Sequence, residues 1–144
     1  MHRSIHSGRL GWFALACISG LAGCSSDVHP VEGLVVWKDN QQPASELAGS
    51  LIQFELPDLD MSSRGQIKAD GSFQLTTHQQ NDGAPLGEHI VLIIEVGRQS
   101  INGGSQLAPG KIDTRYASPR TTDLKVTVTP GKNQPQLEVE RFKL

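Results

Sequence analysis

Cysteine is scarce in this chain, with only Cys17 and Cys24 among 144 residues. Cys17 sits in an apolar N-terminal stretch. If that stretch is removed, no intramolecular disulfide and no thiolate-based metal site can be built. Aromatic residues are also few, at 5%. Beyond residue 23 only Trp37 and Tyr116 could offer a stacking platform for a sugar, since Phe54, Phe73 and Phe142 read as packed or strand-end residues. Positive charge is not in excess: 13 Lys and Arg face 15 Asp and Glu. A phosphate backbone therefore meets no basic face, which argues against nucleic acid as a partner. The apolar stretch Leu10–Leu21 is too short to cross a bilayer core of roughly 30 Å as a helix.

What the N-terminus does contain is ordered in three parts. Arg3 and Arg9 supply positive charge, Leu10–Leu21 an apolar core, and Leu21-Ala22-Gly23-Cys24 an apolar residue, two small ones and a cysteine. The first two parts are those of a secretory signal. The last four residues resemble the bacterial lipobox. That resemblance implies cleavage between Gly23 and Cys24 and a diacylglycerol thioether on Cys24. Two or three acyl chains anchor stably where one does so only marginally, because each buried methylene contributes about 0.8 kcal/mol. In the lipoproteins of enteric-type bacteria that this segment resembles, an Asp after the cysteine favours inner-membrane retention, so the resemblance implies for Ser25 the outer membrane, on its periplasmic face.

Removing 23 of the 144 residues leaves 121, enough for one domain with a single two-layer core. Arg3 and Arg9 leave too, so 11 basic residues face 15 acidic ones and the net charge becomes −4. Residues 24–30 are expected as a short tether, and six extended residues reach only about 20 Å. The domain, residues 31–144, is thereby expected close to the membrane.

From Val31 onward the pattern is strands and turns. Val31–Lys38 is β-branched and apolar, and Asp39–Pro43 is a turn. In Leu51–Leu56, alternation puts Ile52, Phe54 and Leu56 on one face, and Pro57 ends the strand. Arg64–Lys68 and Ser72–Thr77 flank Ala69-Asp70-Gly71, a hairpin signal. Ile90–Ile94 is apolar at every position, as in a central strand covered on both faces. Leu124, Val126 and Val128 alternate with polar residues; Pro130–Asn133 turns the chain, and Leu137 and Val139 alternate again. About seven short strands predict an all-β, Ig-like or transthyretin-like sandwich. Gly97–Pro119, rich in Gly, Ser and Asn at its start, is expected as a long loop. With Thr77–Gly87 it is where a binding surface would be sought, Tyr116 being its candidate ligand contact.

Several of these segments resemble the transthyretin-like, carboxypeptidase-regulatory-type sandwich. Val31-Glu32-Gly33-Leu34-Val35 matches its V-x-G-x-V, and Ala69-Asp70-Gly71-Ser72-Phe73-Gln74-Leu75 its D-G-x-F-x-L segment. Gly83–Val91 is similar to G-x-P-x-G-x-Y-x-V, with His89 in the aromatic slot, and Tyr116–Leu124 to Y-x-x-P-x-T-S-x-L. The motifs are turns and core positions spread over Val31–Glu140, so they imply fold and hardly function. Gln41-Gln42, where the family has Gly-Lys, predicts a looser turn before Pro43.

Chemistry-bearing constellations are thin. His29, His78 and His89 lack the paired spacing of a zinc site and are expected as solvated or structural; only His78 and His89, with Asp82 as a third candidate, could approach if their strands paired. Asp58, Asp60, Asp70, Asn81 and Asp82 are oxygen ligands in turns, without a calcium-binding loop around them. No Gly-x-Ser-x-Gly elbow is present. Hydroxyisourate hydrolase, an enzymatic relative of this fold, carries a C-terminal Tyr-Arg-Gly-Ser signature. This chain ends Glu140-Arg141-Phe142-Lys143-Leu144 instead. No metal, cofactor or catalytic residue is therefore expected. The expected role is a membrane-anchored structural or interaction module contacting envelope proteins, its free strand edges offering a place for a partner strand. The alternative is a small-ligand or glycan-binding lipoprotein using the 97–119 loop.

Overall fold

The computed structural model describes residues 27–96 and 110–143. The signal segment, Gly23, Cys24 and the first part of the 97–119 loop lie outside the described residues. Among the described residues nine strands run in order: β1 (Val28–His29), β2 (Glu32–Trp37), β3 (Leu51–Leu56), β4 (Met61–Gln66), β5 (Ser72–Gln74), β6 (Ala84–Pro85), β7 (Gly87–Ile94), β8 (Lys125–Val128) and β9 (Gln136–Val139). The only helices among the described residues are short 3-10 turns. One sheet has the order β5-β2-β9, the other β4-β3-β7-β8, and β1 pairs with β6. The chain is thus an all-β sandwich, with seven strands of three residues or more and one two-residue pair.

Alternation explains how the sheets face each other. On β3, Ile52, Phe54 and Leu56 are buried while Leu51, Gln53 and Glu55 are half-buried, the period-2 pattern of a strand with one face inward. Val35, Trp37, Phe73, Leu137 and Val139 of one sheet meet Ile52, Phe54, Val91, Ile93 and Val128 of the other in one core. Phe54 and Phe73 touch across it, with ring centroids 6.0 Å apart and planes at 52°, a favoured tilted geometry. On β7, Ile93 belongs to this core, while Leu92, pointing to the opposite face, is also buried. The strand read from Ile90–Ile94 is central, between β3 and β8, but it is not fully covered on both faces: on its outer side only Leu92 is buried, Ile90 and Ile94 are half-buried and Glu88 is exposed.

The Asp70-Gly71 turn forms, closed by Gly71 N–H to the Lys68 carbonyl at 2.9 Å and Lys68 N–H to the Ser72 carbonyl at 2.8 Å. It differs from a plain hairpin, because β4 pairs with β3 whereas β5 pairs with β2. The turn carries the chain over the sandwich's corner. Backbone bonds between Arg64 and Thr76, 2.9 and 2.8 Å, stitch the sheets together there. At the opposite side the chain crosses back between β8 and β9, and β9 lies parallel to β2. Asn133 organises that crossing. Its side chain accepts from Thr129 N–H at 3.0 Å and donates to the Thr129 carbonyl at 2.9 Å.

Three further expectations need correction. The stretch Val28–Pro30, expected as tether, belongs to the folded body: Val28 and His29 pair with Pro85 and Ala84, and the Pro30 carbonyl accepts from Asn133 N–H at 2.9 Å. The turn before Pro43 is not loose. Gln41 takes a positive φ of 57° and its N–H closes on the Trp37 carbonyl at 2.8 Å. Finally, the last part of the 97–119 loop contributes two side chains to the core. Ile112 is buried, Thr114–Ala117 form a 3-10 turn, and Tyr116 is 1% exposed.

Strand directions give the molecule two distinct ends. The near end holds Asp27, the β3–β4 turn (57–60), Leu86 before β7, and the β8–β9 crossing. The far end holds the β2 terminus, the end of β7 and the C-terminal residues 140–143.

Candidate functional site

The densest set of charged side chains lies at the far end. Asp113 caps the 3-10 turn by accepting from Arg115 N–H at 2.9 Å, which aims the Arg115 side chain back over the terminus of β9. Its guanidinium donates to the Tyr116 hydroxyl at 2.7 Å and pairs with Glu140 at 3.1 Å. Glu140 also takes Lys38, at 3.1 Å, from the end of β2. Arg141 stacks over Trp37, 4.0 Å from the ring centroid, and one of its nitrogens bonds both oxygens of Glu46 at 2.9 and 2.8 Å. Asp39 stands 3.4 Å from Arg141 Nε. Between Lys38, Asp39, Glu140, Arg141 and Lys143 lies an open depression of about 290 Å³.

The electrostatics follow from that pairing. Hydrogen bonds from Lys38 and then Arg115 hold the Glu140 carboxyl below its usual range. The Tyr116 hydroxyl and Glu140 push the Arg115 guanidinium still higher, and Glu46 does the same for Arg141. None of these groups is moved toward neutral pH, so the cluster holds fixed charges. Such an array suits recognition of a complementary charged surface, through pairs that exchange partners at the water interface.

Tyr116 is where the structure departs most from the sequence reading. Its ring is buried in the main core and only its hydroxyl reaches the far end. It offers no exposed face on which a sugar could stack. Trp37, the other aromatic that could have served as a stacking platform, is buried as well. The histidines do not assemble. His29 Nδ1 accepts from Gly131 N–H at 3.1 Å in the β8–β9 crossing, His78 is exposed, and His89 is fully buried beside Phe54. Asp82 serves its own turn, its carboxylate accepting from the N–H groups of Thr77, His78 and Gln79 at 2.7–2.9 Å. Burial opposes its ionisation, yet the three amides outweigh it and hold its carboxyl below the usual range. Asp70 likewise accepts from Ser72 N–H and Oγ, at 3.0 and 2.6 Å. Asp58 and Asp60 stay exposed on the β3–β4 turn. Among the described residues no three His, Cys, Asp or Glu side chains converge on a point where one ion could sit.

A second depression, about 350 Å³, runs over the outer face of β5, β2 and β9. Its charged groups are already paired: Glu32 to Lys132 at 2.6 Å and to Gln74 at 2.9 Å, and Lys68 to Gln74 at 3.2 Å. No pattern in the sequence marks the far-end cluster. Lys38 and Glu140 are 102 positions apart and Glu46 and Arg141 are 95 apart, so only the fold brings them together.

No protein-family model matches the chain, and no curated protein matches it. Among solved structures it is similar to a variant of BcpA, the major pilin subunit of Bacillus cereus, at 12% identity and a TM-score of 0.44. The match covers 81% of this chain and 30% of the pilin chain, so this chain spans under a third of that protein's length.

Proposed function

We infer that this chain is an extracytoplasmic lipoprotein, anchored through Cys24 and outer-membrane-directed, whose sandwich is of the transthyretin-like type and acts as a non-catalytic interaction module. It presents its far end to other envelope proteins. The observation that carries this reading is the polarity of the fold. The β1 strand fixes the chain's N-terminal exit at the near end, and the paired charges of Lys38, Glu46, Arg115, Glu140 and Arg141 stand at the other. A domain tethered by its near end offers those charges to whatever lies across the gap. Burial of Tyr116 takes from the glycan-binding alternative the aromatic on which it leaned.

Two measurements in cells test it. Metabolic labelling with fatty acid should mark the wild-type chain and leave Cys24→Ser unlabelled and released from membranes. A photo-crosslinking residue at Lys143 should capture envelope proteins, whereas one at Gln74, on the outer sheet face, should capture few. Undiminished label in Cys24→Ser would overturn the anchor, and equal capture from both positions would overturn the far-end assignment.

A further inference from the structure

Two large apolar side chains are left in water on the sandwich's near end. Leu59 is 55% exposed and Leu86 39%. Neither sits on a loose segment. Leu59 ends the 3-10 turn Pro57–Leu59, which closes by Asp60 N–H to the Pro57 carbonyl at 3.3 Å. Leu86 is held between buried Pro85 and Gly87, and Gly87 abuts the Leu56 methyls so closely that a Cβ there would come within 2.9 Å. The antiparallel register of β3 and β7, with Glu55 opposite Ile90, brings the turn after Leu56 alongside the start of β7. Both leucines therefore share one end.

The chain's exit lies at that same end. Val28 pairs with Pro85, so Asp27 stands across from Leu86. Only Ser25, Ser26 and Asp27 separate Cys24 from Val28, a reach of about 14 Å when fully extended. β7 alone, with eight residues, runs about 26 Å from one end of the sandwich to the other. A lipid on Cys24 thus has too short a leash to let the far end meet the membrane, and the leucine-bearing end must face it. Asp27, Asp58 and Asp60 flank the leucines, so anionic headgroups would be repelled while the ammonium of a zwitterionic headgroup is accommodated.

Resting on the lipoprotein reading above, we propose that the near end is a second membrane contact, in which Leu59 and Leu86 enter the interface of a zwitterionic bilayer and hold the domain upright. An apolar pair on a rigid rim gains by leaving water at the headgroup–acyl boundary, and the anchor supplies the proximity that two leucines alone could not.

The test uses the full-length, membrane-processed protein reconstituted into phosphatidylethanolamine–phosphatidylcholine vesicles with brominated acyl chains. Tryptophan is placed singly by Leu59→Trp, Leu86→Trp or Lys143→Trp, against the constant background of buried Trp37. Emission from positions 59 and 86 should fall about twofold and shift to the blue, as expected for a ring some 5–10 Å into the interface, while position 143 is unaffected. Replacing the zwitterionic lipid with phosphatidylglycerol should weaken the quenching. Intact mass of the same samples reports the lipid on Cys24. With that lipid present, absent quenching at 59 and 86, equal quenching at 143, or stronger quenching in phosphatidylglycerol overturns the proposal and leaves the anchor standing. A mass without lipid overturns the anchor and the proposal together.

Discussion

The hydroxyl of Tyr116 accepts a hydrogen bond from the backbone N–H of Glu140 at 3.2 Å, joining the 3-10 turn to the strand end 24 positions later. The same oxygen takes Arg115 at 2.7 Å. Tyr116→Phe keeps the buried ring and removes the acceptor, leaving an amide and a guanidinium nitrogen to find water. It should cost about 1 kcal/mol, whereas Tyr116→Ala, which also empties the core position, should cost about 3–5 kcal/mol. Denaturant melts of residues 25–144 measure both. A Tyr116→Ala loss under about 1 kcal/mol would mean that the ring is not part of the core.

The contrast between Tyr116 and β3 shows what a sequence can carry. Ile52, Phe54 and Leu56 announce their shared face by spacing alone, because burial repeats every second residue along a strand. Asp70-Gly71 announces a turn because Gly71 must take a φ of 80°. That this turn changes sheets depends on β5 preferring β2 to β4, a choice made by distant partners. Tyr116 sits amid polar residues with no alternation, and its burial is decided by β9 and β7. The two-residue β1 is silent for a related reason, since its pairing depends on Gly83, far along the chain. The far-end ion pairs are longer-range still.

Gly83 is the hinge of that N-terminal pairing. Its φ is 103°, and a Cβ built on it would lie 1.8 Å from the His29 carbonyl oxygen. Gly83→Ala therefore pays twice, in backbone strain and in displacement of β1, and should lose about 1–3 kcal/mol. Faster amide exchange at Val28 and His29 than in wild type is the specific signature. A loss within about 0.5 kcal/mol would show that β1 contributes nothing to the fold.

Leu92 and Ile93 point to opposite faces of β7 and are 4% and 1% exposed. Each truncation to Ala should cost about 2–5 kcal/mol, because either face would be left with a cavity. Equilibrium urea unfolding of the two variants separates the faces. A loss below about 1 kcal/mol at Leu92 alone would make β7 a one-sided strand.

His89 gives the fold a pH dependence of defined sign. The ring is fully buried, Nε2 donates to the Pro85 carbonyl at 2.8 Å, and Nδ1 has no partner. Its neighbours are apolar: Phe54 at 5.7 Å between centroids and Val126 opposite it on β8. Burial pushes the imidazole below its ordinary 6.5, outweighing the Pro85 carbonyl, which favours the proton. As pH falls through about 6.5 the unfolded chain binds a proton that the folded chain resists, so stability declines from there down to the folded value and then levels. His89→Phe, which refills the aromatic slot without a titrating group, should flatten that segment of the curve while keeping the fold. Thermal melts of both proteins across about pH 7 to pH 4.5 decide it. Parallel curves would assign the acid sensitivity to other groups, and a wild type that gains stability on acidification would mean His89 is charged in the fold.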